Sequence, residues 1–426
     1  MNKDLPSFKF ATGAFYLLVL VVSWMVIFYP PNNILSYDVF GYYMYLPFTF
    51  KYDDITLHNV NVVEAIINKY KNSETFYQAF KYQNGNHIIR YPMGLAVLYA
   101  PFYFIGDLIA KIGSYTDDGF SKPYQFSILY GCLLYTIAGI WYLKKVLLHF
   151  FADKIAAVCM ILLVLGTNYF FHTSIHGQGA MPHNMLFSLY AALMHYTLEW
   201  EKKKLLKSMI LISLLIGIIC LSRATEIICI IFPLLFGIWN VSTLKKRWNE
   251  FVVHKNQILI GVALVFLTCS LQLMYYKFTA GKFFINTYGI SNPGEGLEIK
   301  HPRLAEVLFS FRKGWLIYTP LMIFSLIGLC LIKKRREIFL PILFYFFINT
   351  WVVASWSCWW YADSFGQRAL IPSMAIMCIP LGRFVERIFE KKITVRISFG
   401  ILALFLIFLN LFQSWQIKNG ILDTSN

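Results

Sequence analysis

Long apolar stretches alternate with short polar ones along the whole chain. The apolar stretches approach the roughly 20 residues that a helix needs to cross a hydrocarbon core. About eleven are present, at 10–29, 121–143, 154–171, 183–199, 205–222, 227–240, 257–277, 316–332, 338–355, 369–389 and 396–415. This pattern predicts an all-α polytopic membrane protein with about 11 transmembrane helices.

Composition and charge support this prediction. The 426 residues are 58% hydrophobic and 14% charged, whereas about a quarter of a soluble domain is charged. The net charge of +16 could suggest a nucleic-acid partner. However, the basic residues cluster in short loops between apolar stretches, as cytoplasmic loops do. We therefore expect an integral plasma (inner) membrane protein in contact with membrane lipid, with no nucleic-acid partner.

The basic clusters also predict the orientation of the chain. We assign to the cytoplasm the N-terminal Lys3 and Lys9 and the clusters at 144–154, 202–207, 245–255, 333–336 and 383–396. If Lys3/Lys9 and Lys144/Lys145 lie on the same side, an even number of crossings separates them. One of the three apolar segments between them then does not cross. The weakest is 92–112, which we predict to be a membrane-parallel helix in the first outer loop, 30–120.

The remaining outer segments are 172–182, 222–226, 278–315 and 356–368. Polar side chains concentrate there, and no soluble domain or internal repeat is visible. A functional site is therefore expected at the outer face, periplasmic or extracellular.

The first outer loop places Asp38 at the start of an aromatic, helix-like stretch that includes Tyr42 and Tyr43. An aspartate at this position commonly caps a helix N-terminus. It could also serve as a general base held at the interface. Both interpretations remain open on sequence alone.

Three histidines, His172, His176 and His183, follow in the second outer segment. Their spacing could suggest a metal site, but no cysteine or carboxylate accompanies them. We expect no metal and no other cofactor, since a divalent metal has no support beyond this spacing. His183, at the start of the next apolar stretch, is better placed to contact a substrate.

Cations and tryptophans mark the later outer segments. Arg223 either forms an ion pair with Glu226 at helical spacing or binds a phosphate. Aromatic belts explain tryptophans at an interface without any function. Stacking on sugars and bidentate binding of phosphate provide the functional alternative for Arg312, Lys313, Trp360 and Arg368.

The ordered set of features resembles the GT-C superfamily of glycosyltransferases, which includes protein O-mannosyltransferases and lipid A aminoarabinose transferases. The features are Asp38 after the first span, a long outer loop with a helix after Tyr91-Pro92, and the Ser-Arg-Ala-Thr segment at 222–225. The resemblance implies a GT-C-like transmembrane module at 1–280. A C-terminal transmembrane region at 281–426 would carry outer loops 281–315 and 356–368.

The resemblance also implies an inverting transferase that takes sugar from a polyprenyl-phosphate carrier. Asp38 would be the catalytic base toward an acceptor hydroxyl on a glycan, lipid or protein. The expected substrate contacts are Tyr42, Tyr43, Arg90, His183, Arg223, Arg312, Lys313, Trp360 and Arg368.

Two alternatives remain open at this stage. A polysaccharide polymerase or ligase would place its critical residues in the late loop 278–315, and Asp38 would be dispensable. A non-catalytic flippase or transporter of lipid-linked sugar would need polar groups through the mid-membrane, and these are scarce in the predicted spans.

Overall fold

The computed structural model describes residues 9–423, so the expectation for Lys3 lies outside the described residues. About 72% of the chain is helical. The α-helices are α1 (Phe10–Phe28), α2 (Tyr37–Tyr43), α3 (Tyr45–Phe50), α4 (Val60–Tyr70), α5 (Gly94–Ile112), α6 (Lys122–Phe150), α7 (Asp153–Leu165), α8 (Tyr169–Ser174), α9 (Pro182–Lys203), α10 (Leu206–Ser222), α11 (Ile231–Leu235), α12 (Val241–Val253), α13 (Lys255–Ala280), α14 (Thr287–Ser291), α15 (Leu304–Phe309), α16 (Trp315–Tyr318), α17 (Met322–Leu331), α18 (Arg336–Ala354), α19 (Ile371–Phe389) and α20 (Ile393–Lys418).

Shorter elements complete the description. The 3₁₀ turns are Gln178–Ala180, Ala224–Ile230, Ile332–Lys334 and Arg368–Leu370. Strands β1 (Ala79–Lys81) and β2 (His87–Ile89) form an antiparallel hairpin.

Seven helices within residues 9–423 are long and apolar enough to cross a membrane: α1, α5, α6, α13, α18, α19 with its preceding turn, and α20. The other predicted spans form shorter or more polar helices. Two of them are broken: α7 ends at Leu165 before Gly166, and the segment 316–332 divides into α16 and α17 around Pro320. The helical membrane fold is confirmed, whereas the count of about eleven spans stays a prediction.

The basic clusters gather at one end of the helices, which we call the basic end. The ammonium group of Lys154 lies 5.1 Å from the ring of Phe10, the first residue of α1. The guanidinium of Arg335 donates to the carbonyl of Phe150 at the end of α6 over 2.9 Å. Helices α1 and α6 are therefore antiparallel, and the start of α6 lies at the opposite end.

Helix α5 stays on the side away from the basic end. A Cβ atom at Gly94, its first residue, would collide with the backbone nitrogen of Ser222 at the end of α10. Near its other end, a Cβ atom at Gly106 would lie 2.8 Å from Cα of Tyr124, close to the start of α6. Although α5 could cross a membrane by length and composition, these contacts favour the predicted non-crossing helix. Its orientation relative to the membrane stays a prediction.

Helix α19 forms the centre of the helix array. Every residue from 371 to 382 is buried. The 3₁₀ turn that begins with Arg368 leads directly into this helix, so the core fixes the position of Arg368.

Candidate functional site

A cavity of about 1090 Å³ opens at the end of the helices opposite the basic end. All five segments that the sequence assigned to the outer side contribute to its wall. Asp38 comes from the first, Met181 from the second, Arg223 from the third, Glu295 from the fourth and Arg368 from the fifth. The predicted outer segments therefore meet around one site.

Asp38 is the second residue of α2, and Ser36 occupies the N-cap position. Asp38 therefore lies in the first turn of the helix and does not occupy the N-cap position. Its side chain is 30% exposed and lines the cavity. The backbone beside it is anchored because the amide of Tyr37 donates to the carbonyl of Asn72 over 2.8 Å.

Two tyrosine hydroxyls orient the Asp38 carboxylate. Tyr91 donates to Asp38 Oδ1 over 2.6 Å, and Tyr77 donates to the same oxygen over 2.9 Å. Burial, followed by the nearby Asp38 charge, raises the pKa of both phenols. Both hydroxyls therefore stay protonated and remain donors to the carboxylate.

The hairpin explains why these two tyrosines meet at one oxygen. Ala79 pairs with Ile89, and the amide of Arg90 donates to the carbonyl of Gln78 over 2.9 Å. Continuing this register by one more step places residue 77 opposite residue 91. Neither tyrosine is among the functional residues predicted from the sequence. The Asn-Gly pair at 84–85 was the signal, since this dipeptide favours tight hairpin turns.

Gly41 provides the space for Tyr91. A Cβ atom at Gly41 would collide with the ring of Tyr91. Tyr42, the next residue, lines the cavity with its ring centroid 4.6 Å from that of Tyr91. One face of α2 thus forms an aromatic wall beside Asp38.

Arg368 lies on the other side of the Asp38 carboxylate. Its Nη2 atom is 3.6 Å from Asp38 Oδ2, and its side chain is 9% exposed. Nη1 donates weakly to the carbonyl of Asp363 over 3.4 Å, and Nε has no hydrogen-bond partner among the described residues. This buried guanidinium therefore retains hydrogen-bonding capacity toward a ligand in the cavity.

Arg223 supplies a second cation. Its Nη1 atom is 3.5 Å from Glu226 Oε1, so the ion pair considered from the sequence is present. Its Nη2 atom also donates to the hydroxyl of Tyr361 over 3.1 Å, and Arg223 lines the cavity. The ion pair and the position facing a ligand therefore coexist.

The fourth and fifth outer segments form an aromatic and charged wall. Arg90 pairs with Glu295 and lies 4.6 Å from the ring centroid of Tyr288. The ring of Trp356 packs edge-on against Tyr288 at 5.2 Å. Aromatic rings next to hydrogen-bonding groups suit the faces and hydroxyls of a sugar.

Trp360 connects the cavity to Arg312. Trp360 lines the cavity, and the Arg312 guanidinium lies 4.1 Å from its ring centroid. Arg312 itself does not line the cavity. Its connection to the site therefore runs through the indole ring of Trp360.

Tyr43 and Lys313 are also outside the cavity wall. Tyr43 is fully buried, and its hydroxyl donates to the carbonyl of Gly119 over 2.5 Å. Lys313 Nζ donates to the carbonyl of Ser364 over 2.6 Å, and burial lowers its pKa to about 8. Their expected roles as substrate contacts therefore stay predictions. Neighbouring residues such as Tyr42 and Tyr43, or Arg312 and Lys313, look alike in sequence, so the pattern does not reveal which member of each pair faces the cavity.

The three histidines have different surroundings in the structure. His183 is 4% exposed and lines the cavity, and its Nδ1 atom has no hydrogen-bond partner in the described part of the chain. His172 is buried with Nε2 3.1 Å from the carbonyl of Phe365, and His176 lies in an exposed turn. Within residues 9–423, no group of three or more His, Cys, Asp or Glu side chains is arranged to hold a metal ion.

Comparison with known proteins gives a likeness of fold. No protein-family model and no curated protein matches the chain. Two structures of the oligosaccharyltransferase from Archaeoglobus fulgidus do match, each with a TM-score of 0.52 and 11% sequence identity. One is AglB in complex with an inhibitory peptide and a dolichol-phosphate; it matches 98% of this chain and 56% of its own. The other is the apo form, matched over 99% of this chain and 57% of its own.

The chain thus spans a little over half the length of these archaeal proteins. At this level of identity the likeness concerns the fold alone. The chain is a helical membrane protein whose fold is similar, over the shared part, to that of the archaeal oligosaccharyltransferase.

Proposed function

We propose that the chain is an inverting glycosyltransferase that moves a sugar from a polyprenyl-phosphate carrier to an acceptor hydroxyl. The observation that carries the proposal is the Asp38 carboxylate, which faces the cavity with Arg368 on one side and the hydroxyls of Tyr77 and Tyr91 on the other. A base can accept the proton of an attacking hydroxyl, and a nearby cation can stabilise a departing phosphate, so this arrangement suits displacement of a phosphate. The fold shared with a protein solved together with a dolichol-phosphate is consistent with a lipid-linked donor.

The proposed reaction is a single displacement. Asp38 accepts the proton of the acceptor hydroxyl while that oxygen attacks the anomeric carbon from the face opposite the phosphate. The bond between the anomeric carbon and the phosphate oxygen breaks, and its electron pair remains on the phosphate. Arg368 and Arg223 balance the growing negative charge, and burial strengthens both interactions.

The tyrosines and the aromatic wall have positioning roles in this proposal. Tyr77 and Tyr91 hold Oδ1 of Asp38, so Oδ2, which lies 3.6 Å from Arg368 Nη2, is the proposed proton acceptor. Tyr42, Tyr288 and Trp360 offer ring faces for the sugar. His183 and Arg90 provide polar contacts at other parts of the wall.

The cavity is proposed to open on the outer, periplasmic or extracellular side, because the opposite end carries the basic clusters. In a variant without its natural cysteines, Lys81→Cys should react with an impermeant thiol reagent in intact cells. Lys246→Cys should react only after the membrane is permeabilised. The reverse pattern would refute this orientation.

The central test is Asp38→Asn, with Asp53→Asn as its matched control. Asp53 is an exposed aspartate of the same outer loop and does not line the cavity. Loss of a general base typically costs about 10²- to 10⁴-fold in rate. We expect Asp38→Asn to lose transfer and to accumulate lipid-linked donor in cell extracts, while Asp53→Asn behaves like the parent. Transfer at the parental rate by Asp38→Asn would exclude Asp38 as the base.

The polymerase or ligase alternative keeps one supporting observation. Residues of the late loop, including Tyr288 and Glu295, form part of the cavity wall. The same Asp38→Asn experiment separates the two functions, because the ligase alternative requires activity without Asp38.

A further inference from the structure

A second pocket, of about 260 Å³, lies where α1 ends and α6 begins. Its lining includes Pro31, Asn33, Lys69, Lys122 and Phe126, and we call it the Lys122 pocket. None of these residues lines the cavity that contains Asp38. The Lys122 pocket is therefore a separate site on the surface of the molecule.

The level of this pocket matches a membrane boundary. Helices α1 and α6 are antiparallel. At one end Lys144 of α6 lies near Phe15 of α1. At the other end Leu129 of α6 and Tyr29, which follows α1, line the same narrow crevice. Lys122 is the first residue of α6, where the helix leaves its apolar part. The pocket therefore lies where lipid headgroups would meet the protein.

The pocket offers a positive charge that the protein does not neutralise. Lys122 is exposed and forms no ion pair with any residue between 9 and 423. Lys69 pairs with Asp118 over 2.8 Å, but its side chain remains 52% exposed. The unpaired charge of Lys122 therefore favours an anionic ligand in this pocket.

An apolar surface continues from the pocket along α6. Phe126, Tyr130 and Leu134 are 40%, 41% and 57% exposed and recur every four residues, so they lie on one face of the helix. The rings of Phe126 and Tyr130 stack with centroids 6.0 Å apart. A headgroup-sized basic pocket above an apolar stripe matches the shape and polarity of a phospholipid.

We propose that the Lys122 pocket binds the headgroup of an anionic bilayer phospholipid whose acyl chains lie along Phe126, Tyr130 and Leu134. Lys122 contacts the phosphate. The site is independent of the proposed transferase activity. It selects lipid by charge, since each lysine near an anionic lipid favours binding.

The test is native mass spectrometry of the purified full chain in detergent with dioleoylphosphatidylglycerol, dioleoylphosphatidylcholine or inorganic phosphate. The parent should bind the phosphatidylglycerol several-fold more tightly than the phosphatidylcholine. Lys122→Gln should weaken phosphatidylglycerol binding about fivefold. The matched control Lys81→Gln, at an exposed lysine outside both cavities, should leave it unchanged.

A second variant tests the apolar half of the site. Tyr130→Ser should weaken binding of dioleoylphosphatidylglycerol but not of its dihexanoyl analogue, which is too short to cover the stripe. Unchanged binding in Lys122→Gln, or an equal loss in Lys81→Gln, would overturn the proposal. Displacement of the lipid by millimolar inorganic phosphate would also overturn it, because the pocket would then be a site for free anions. Thermal unfolding of each variant confirms that the fold is retained.

Discussion

Replacing Arg368 with glutamine removes the cation that lies 3.6 Å from the Asp38 carboxylate in the cavity. Glutamine keeps hydrogen-bonding groups and most of the side-chain length, so the principal change is the loss of charge. In the proposed reaction this charge is needed most when the phosphate departs. The variant should therefore lower kcat more than it raises KM for the donor.

The size of the effect follows from the burial of Arg368. Two unit charges about 4 Å apart interact by about 4 kcal/mol at an effective dielectric constant near 20. Loss of one preorganised donor to a developing anion costs about 10²- to 10³-fold in kcat in characterised enzymes. We expect Arg368→Gln to fall in this range. Arg368→Lys should retain part of the activity because it keeps the charge but not the planar fork.

The assay is transfer of labelled sugar from a polyprenyl-phosphate donor in membranes with matched protein levels. Arg303→Gln is the control, because Arg303 forms a partly exposed ion pair with Glu298 and does not line the cavity. Such surface pairs contribute little. Retention of kcat within about threefold of the parent by Arg368→Gln would refute the role in charge neutralisation. An equal loss in Arg303→Gln would point to a general effect on folding.

Two further predictions concern Tyr91 and Lys313. Tyr91→Phe removes a 2.6 Å hydrogen bond to the charged Asp38, and such a bond is worth about 1.5 to 3 kcal/mol. The rate of transfer should therefore fall about tenfold or more. The control Tyr115→Phe, at an exposed position, should leave the rate unchanged. Wild-type activity in Tyr91→Phe would show that the phenol does not orient the base. Burial lowers the pKa of Lys313 in the folded state to about 8, from an ordinary value of 10.5. Between these two pH values the folded protein binds fewer protons than the unfolded chain, so its stability should rise with pH across this range. As the pH rises from about 8 to about 10, the thermal midpoint of the parent should therefore rise relative to that of Lys313→Met. A difference between the two midpoints that stays constant over this range would contradict the lowered pKa.

The sequence predicted the large-scale organisation because hydrophobic length and basic clusters are local properties. The five outer segments could be assigned from these alone, and the structure brings them to one cavity. The number of membrane-spanning helices was harder to predict from the sequence. Gly166 and Pro320 interrupt apolar stretches that are uniform in hydrophobicity, and backbone geometry rather than composition decides where those helices stop.

The details of the site depended on contacts that composition does not encode. Asp38, Arg223 and Arg368 could be selected because charges next to apolar spans are costly without a partner. Tyr77 and Tyr91 look like many other tyrosines in the chain, and only the hairpin register brings them to the same oxygen. Tyr43 differs from Tyr42 by one position along α2, enough to turn its ring from the cavity into the core.

The cavity is built from segments that lie far apart in sequence, from Asp38 in the first outer loop to Arg368 in the fifth outer segment. During synthesis, Asp38 leaves the ribosome long before Arg368 is translated. A nascent or truncated chain that stops before residue 368 therefore carries the carboxylate without this guanidinium. If the proposed function is correct, such fragments should lack transferase activity, because the complete site forms only once translation has passed this arginine.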